Sequence, residues 1–149
     1  MVATEKKKTS LARAVFSGSL GNMLEWFDYG LYGYFAAIIS ADFFVADDPI
    51  VGLLLSFLVF GTGFLVRPIG GILIGAYADK HGRIKALTLT ILCMGVCTML
   101  MGCLPTYSQV GILAPILLTV LRLLQGLATG GEFGSSLTFI SEYGTPNNR

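Results

Sequence analysis

Five ionisable side chains, Glu25, Asp28, Arg67, Arg122 and Glu132, lie inside long apolar stretches of this 149-residue sequence. A charge inside a bilayer is costly, so such residues mark function more often than accident. Two kinds of chemistry suit these types. A carboxylate can hold a proton on one side of a membrane and release it on the other, tuned by burial and by a nearby arginine. This makes Glu25, Asp28 and Glu132 the proton-coupling candidates. A guanidinium can instead bind an anion, so Arg67, Arg122 and the neighbouring Gln125, Tyr29 and Tyr32 are the candidates for holding a substrate.

The composition supplies the setting. With 54% hydrophobic and 13% charged residues, the chain stands far from the soluble average of about half apolar and about a quarter charged. It reads as an all-α membrane protein, with lipid as its solvent. The net charge of +1 hides a segregation of sign along the chain and gives no basis for nucleic-acid binding. Cys93, Cys97 and Cys103 have no histidine or carboxylate close in sequence, and we read them as packed, reduced thiols rather than metal or redox ligands. No cofactor and no metal are expected.

About 20 apolar residues cross a bilayer as a helix, and four stretches qualify: about 14–41, 50–78, 86–104 and 112–143. Residues 1–13 form an amino-terminal segment with Lys6, Lys7 and Lys8, and the apolar run behind it is too long and too charged to be the core of a cleaved signal. Pro49, Gly82, Pro105 and Pro146 supply the breaks. Lysines and arginines outside the spans fall in the amino terminus, in the 79–85 connection and at Arg149, whereas the 42–49 and 105–111 connections have none. The positive-inside rule places the amino terminus and the 79–85 connection in the cytoplasm, within a cell (inner) membrane.

Helical periodicity then aligns the polar residues. Gly18, Gly21, Glu25, Asp28, Tyr29, Tyr32 and Ala36 share one stripe of the first span, opposite Phe16, Leu20, Phe27, Leu31 and Ile38. Arg122, Gln125, Thr129, Glu132 and Ser136 share one arc of the fourth, beside Gly126, Gly130 and Gly134 at the spacing that lets helices approach closely. Gly61, Gly63, Gly70, Gly71 and Gly75 give the second span the same character, and Pro68 sets a bend beside Arg67. From helix depth, Arg67 can pair with Glu25 or with Glu132, while Arg122 stands roughly 15 Å along its helix from Glu132. Two readings of the polar stripes stay open: a water-reachable pathway, or static contacts between packed helices.

The segment Gly75-Ala76-Tyr77-Ala78-Asp79-Lys80-His81-Gly82-Arg83-Ile84-Lys85 resembles the signature loop between the second and third helices of the major facilitator superfamily. Ile84 departs from it where a basic residue is common. Gly21-Asn22-Met23-Leu24-Glu25-Trp26-Phe27-Asp28-Tyr29, Phe64-Leu65-Val66-Arg67-Pro68-Ile69-Gly70-Gly71 and Arg122-Leu123-Leu124-Gln125-Gly126-Leu127-Ala128-Thr129-Gly130-Gly131-Glu132-Phe133-Gly134 narrow the likeness to its metabolite:proton symporters. These include carriers of proline and betaine, α-ketoglutarate, shikimate and citrate.

The resemblance implies four helices at the start of an amino-terminal six-helix half, over residues 14–149, in a proton-coupled symporter of a small organic solute. It implies a gating loop at Gly75, Asp79, Lys80, Gly82, Arg83 and Lys85, and links Arg122 to proton coupling or to a substrate carboxylate. Tyr29, Tyr32 and Trp26 could cage a quaternary ammonium, and they could equally be packing or interfacial anchors. The partners implied are the lipid bilayer, the solute and protons.

A complete carrier has two six-helix halves that move about a site between them, so the missing carboxy-terminal helices would be required for transport. A truncated gene product, an excised piece, or a chain completed by a companion would each explain the length. The competing reading is a non-transporting membrane remnant or helix-packing partner. An enzyme is not expected, because no nucleophile, metal cluster or phosphate loop stands out, and Gly130 to Gly134 lacks the lysine and strand of a phosphate cradle.

Overall fold

The computed structural model describes the backbone of residues 2–143 and the side chains of residues 21–132. The sequence expectations for Phe16, Gly18, Leu20, Gly134, Ser136, Pro146 and Arg149 therefore fall outside the described side chains. The elements are α1 (Val2–Phe43), α2 (Pro49–Leu65), α3 (Arg67–His81), α4 (Arg83–Gly102), α5 (Tyr107–Val110) and α6 (Leu113–Tyr143). Among the described residues, Pro49–His81, Arg83–Gly102 and Leu113–Glu132 are each long and apolar enough to cross a membrane. Together with α1 they form an all-α bundle.

Local chemistry sets the boundaries. Asp48 is extended and its carboxylate accepts from the Ile50 amide at 2.8 Å, while Pro49 occupies the first helical turn, where its missing N–H costs nothing. The second span is interrupted at Val66, one residue before Arg67-Pro68, so α2 and α3 are two rods in sequence. The proline ring prevents the regular bond at this point. The break is tight, because the Gly70 amide still reaches the Val66 carbonyl at 2.9 Å.

Two expectations about connections are corrected. The 79–85 stretch is not a loop: Asp79, Lys80 and His81 end α3, Arg83 and Lys85 begin α4, and Gly82 alone separates them. One residue suffices because Gly82 takes φ 92° and ψ 146°, a conformation side-chain-bearing residues avoid. Gly82→Ala is expected to destabilise the purified chain by about 1–3 kcal/mol, lowering its melting temperature in detergent; an unchanged melt would show that the turn relaxes freely. The 105–111 stretch is not wholly irregular either, since it folds into the one-turn α5.

α6 is the central element, packing against α1, α2, α3 and α4. Its contact with α2 and α3 is backbone on backbone. A Cβ added to Gly126 would meet the Gly63 carbonyl, one on Gly130 the Arg67 carbonyl, and one on Gly70 the Leu127 backbone. The glycines at these positions thus let the rods touch. A Cβ added to Gly61 or Gly75, expected in the same role, would meet nothing within 4 Å, so neither position requires glycine for a close approach.

Phe43, Val59, Ala114 and Leu118 pack into an apolar cluster with Met101 and Tyr107, where the α1–α2 and α4–α6 connections meet. Phe43, Met101 and Leu118 of this cluster also wall a cavity of about 230 Å³ that reaches Asp28, Tyr32 and Thr98. Outward-facing Met23, Phe27, Leu58, Leu65, Ile72, Leu92 and Met99 are exposed, as expected of residues that meet lipid tails. Among the thiols, Cys97 is buried and Cys103 is exposed at the end of α4, so the packed environment expected for all three does not extend to Cys103.

Candidate functional site

Beside the apolar cluster, α1, α2, α3, α4 and α6 bring the charged residues together. Arg122, on α6, is 3% exposed, and its Nη1 donates to Asp28 Oδ2 at 2.7 Å and to Gln125 Oε1 at 2.6 Å. The Gln125 amide donates to Thr98 Oγ1 at 3.0 Å, and the Thr98 hydroxyl donates to Asp28 Oδ1 at 3.4 Å. These four side chains close a ring of hydrogen bonds joining α1, α4 and α6. A buried ion pair is tolerable only when its remaining polar atoms are also satisfied, and the ring provides most of that satisfaction.

One turn further along α1, Glu25 Oε1 pairs with Arg67 Nη2 at 2.6 Å and also accepts from the Tyr29 hydroxyl. Of the two partners open to Arg67 from sequence, the structure gives it Glu25. The break at Val66 places this guanidinium at the head of α3, where it points across to α1.

Aromatic rings stand between the two pairs. Arg122 lies over Tyr32 at 4.4 Å and Phe60 at 4.7 Å, and Arg67 over Phe64 at 4.4 Å and Tyr29 at 5.1 Å. Tyr32 stacks on Phe60 at 4.9 Å and donates to the Ser56 carbonyl at 3.0 Å. The faces of Tyr29 and Tyr32 are therefore occupied by the chain's own cations. Trp26, the third member of the cage considered from sequence, is 70% exposed on the outside of α1.

Glu25, Asp28, Tyr29, Arg67, Arg122, Gln125 and Thr129 all line one cleft, with Gly63, Met94 and Gly126 in its wall. It leaves only about 20 Å³ open, the room of about one water. Arg67 Nε and Arg122 Nη2 are buried there without hydrogen-bond partners among the described residues. Unused guanidinium donors in a narrow cleft are suited to an anion that enters when the pairs part.

Glu132 lies deeper, 2% exposed, with its carboxylate against Gly21 of α1. At the α3–α4 turn, Asp79 and Arg83 are 3.8 Å apart, and Tyr77 stacks on His81 with ring centroids at 4.4 Å. This second cluster is distant in sequence from the cleft and has none of its lining residues.

Sequence reasoning missed the contributions of Thr98, Phe60 and Phe64. Thr98 gave one signal, a hydroxyl in the apolar third span, but a lone threonine in a membrane helix usually bonds its own backbone, as Thr90 does here to the Leu87 carbonyl at 2.9 Å. Phe60 and Phe64 repeat at four residues toward Arg67, a spacing that also fits lipid-facing positions.

Residues 14–149 match the family of sugar (and other) transporters. The chain belongs to the major facilitator superfamily. Among its relatives is the glycine betaine/proline/ectoine/pipecolic acid transporter OusA of Dickeya dadantii, 40% identical over 93% of this chain and 28% of its own length. The proline/betaine transporter of Escherichia coli K12 shows the same identity and coverage, and the citrate-proton symporter of Salmonella typhi is 43% identical over 91% of this chain and 31% of its own. The chain thus spans less than a third of the length of these relatives. No solved structure matches it. The relatives are transporters, as the expectation of a non-enzyme requires, and family and helices together make this a multi-pass membrane protein.

Proposed function

We propose that this chain provides the first four spans of a major facilitator amino-terminal half, its amino terminus cytoplasmic, in a proton-coupled symporter of a small carboxylate-bearing solute. The observation that carries the reading is the cleft in which the buried Arg122 and the half-buried Arg67, each paired to a carboxylate of α1, keep further guanidinium donors unused among the described residues. A solute carboxylate that takes these donors competes with Asp28 and Glu25 for the arginines. A carboxylate displaced in this way takes up a proton rather than remain a lone buried charge. Binding of solute and binding of a proton then favour one another, which is the requirement for symport.

The relatives named for proline and betaine, and for citrate, carry substrates that share a carboxylate and differ in the rest. The carboxylate is accordingly the feature we assign to this cleft. The occupied ring faces of Tyr29 and Tyr32 make an ammonium cage the lesser contributor. The Gly75 to Lys85 turn, where Arg83 faces Asp79, acts as a gate by holding α3 to α4 in one of two states.

Transport also needs the helices that the longer relatives possess, because alternating access moves one half against the other. Vesicles containing this chain fused to the remaining segment of the Escherichia coli relative are expected to accumulate proline, betaine or citrate in a manner abolished by an uncoupler. The 149-residue chain alone is expected not to. Arg122→Lys in the fusion removes the forked donor while keeping the charge, and is expected to reduce uptake at least about tenfold. Uptake of all three solutes indifferent to Arg122 and to the uncoupler would refute the reading.

A further inference from the structure

Glu132 stands apart from the two ion pairs. It is among the most buried charged-type residues described, yet its Oε2 has no hydrogen-bond partner among the described residues. Gly21 makes room for it, since a Cβ there would overlap the Glu132 carboxylate. The groups that face it can be taken element by element. On α1, Glu25 is one turn beyond Gly21 and carries like charge. On α3, Arg67 is committed to Glu25 at 2.6 Å. The buried residues of α2 are Gly52, Ser56, Val59 and Gly63, none of them titratable. Those of α4 are Ala86, Leu87, Thr90, Met94 and Cys97, which bring only a thiol. On α6 itself Arg122 is about 15 Å away along the helix.

An ionised carboxylate buried without a counter-charge is too costly to persist, and such a group stays neutral instead. Among the described residues, Arg83 and Lys85 lie at the start of α4, Arg83 facing Asp79, and Arg67 is the cation whose main chain abuts this part of α6. The Arg67 backbone carbonyl packs directly against Gly130, two residues before Glu132, and Arg67 Nε is itself buried without a partner. The guanidinium therefore keeps a donor unused, on a residue whose main chain abuts the turn of α6 that carries Glu132.

From this we infer that Glu132 is the neutral acid in the conformation described, a proton-binding position separate from the Asp28–Arg122 pair, and that its deprotonation accompanies transfer of Arg67 from Glu25 to Glu132. In the transfer the proton leaves Glu132 for water, the Arg67–Glu25 pair opens, an Arg67–Glu132 pair forms, and the displaced Glu25 takes up a proton from water. Glu25 retains the Tyr29 hydroxyl and its place on the cleft wall. The use of this exchange in symport rests on the function proposed above, but the protonation and the exchange do not.

Infrared spectroscopy of the full chain in phosphatidylcholine vesicles at neutral pH tests both. The expected result is a carbonyl band of a protonated carboxyl group that shifts on carbon-13 labelling of glutamate and not of aspartate. The band should vanish in Glu132→Gln, persist in Asp28→Asn and Arg67→Gln, and vanish also in Glu25→Gln, where Arg67 is released to Glu132. A protonated-carboxyl band missing from the unsubstituted chain, or insensitive to glutamate labelling, overturns the protonation without reliance on any variant. A band that survives in Glu25→Gln overturns the exchange. Because the readout is not transport, a fusion that fails to accumulate solute while the band behaves as stated would reject the function and leave this inference standing.

Discussion

Arg122→Ala is expected to destabilise the chain by about 3–5 kcal/mol, the cost of stranding a buried charge. Asp28 is 8% exposed and would keep only the Thr98 hydroxyl at 3.4 Å, while Gln125 would lose its strongest partner. The informative comparison is the double variant Asp28→Asn with Arg122→Gln. It removes both charges, keeps amides of useful length in the ring, and is expected to recover most of the melting temperature in detergent. Uptake by the fused carrier should stay at background, because neither proton nor solute carboxylate has its group. A single variant as stable as the parent, with no gain from the second substitution, would mean that the pair contributes no net coupling.

The second large effect is expected from geometry alone. Gly126→Leu places a branched side chain where the Gly63 carbonyl now lies. Backbone cannot step aside as a flexible side chain can, so α6 must separate from α2 along its length. Even the smaller Gly126→Ala is expected to cost about 1–3 kcal/mol, and the leucine to leave the chain unable to reach the stable bundle at all. Gly61→Ala and Gly95→Ala, where a Cβ meets nothing within 4 Å, serve as controls and should gain up to about 1 kcal/mol from helix propensity. Melts of the four variants side by side check the ordering, and equal effects at positions 126 and 61 would contradict the close seam.

Much of this was legible in the sequence because the relevant signals are periodic. The stripes of α1 and α6 could be projected from spacing, and Asp28, Tyr32, Gln125, Thr129 and Glu132 are indeed buried together on the inside of the bundle. The glycine spacing of α6 likewise announced a close helix contact, but not that its partners are α2 and α3. What periodicity could not supply was which partner each charge takes. Depth along a helix left Glu25 and Glu132 equivalent for Arg67, and the choice depends on the rotation of α3 after the break at Val66. It also placed Arg122 by its distance from Glu132 and overlooked Asp28, the acid actually beside it. Thr98 was lost for a related reason, since its role exists only once α4 is rotated to face Gln125. The Gly82 turn looked like a loop because its charges suggested one, whereas a single positive φ was enough.

The contact of Gly63 with Gly126 and of Arg67 with Gly130 has a mechanical corollary. Rods separated by side chains can slide or roll through small rotamer changes, but rods whose main chains abut have no such bearing surface. α2, α3 and α6 must then travel as a single keel in whatever cycle the protein performs, and spin labels fixed on α2 and α6 should record one unvarying separation with solute present or absent.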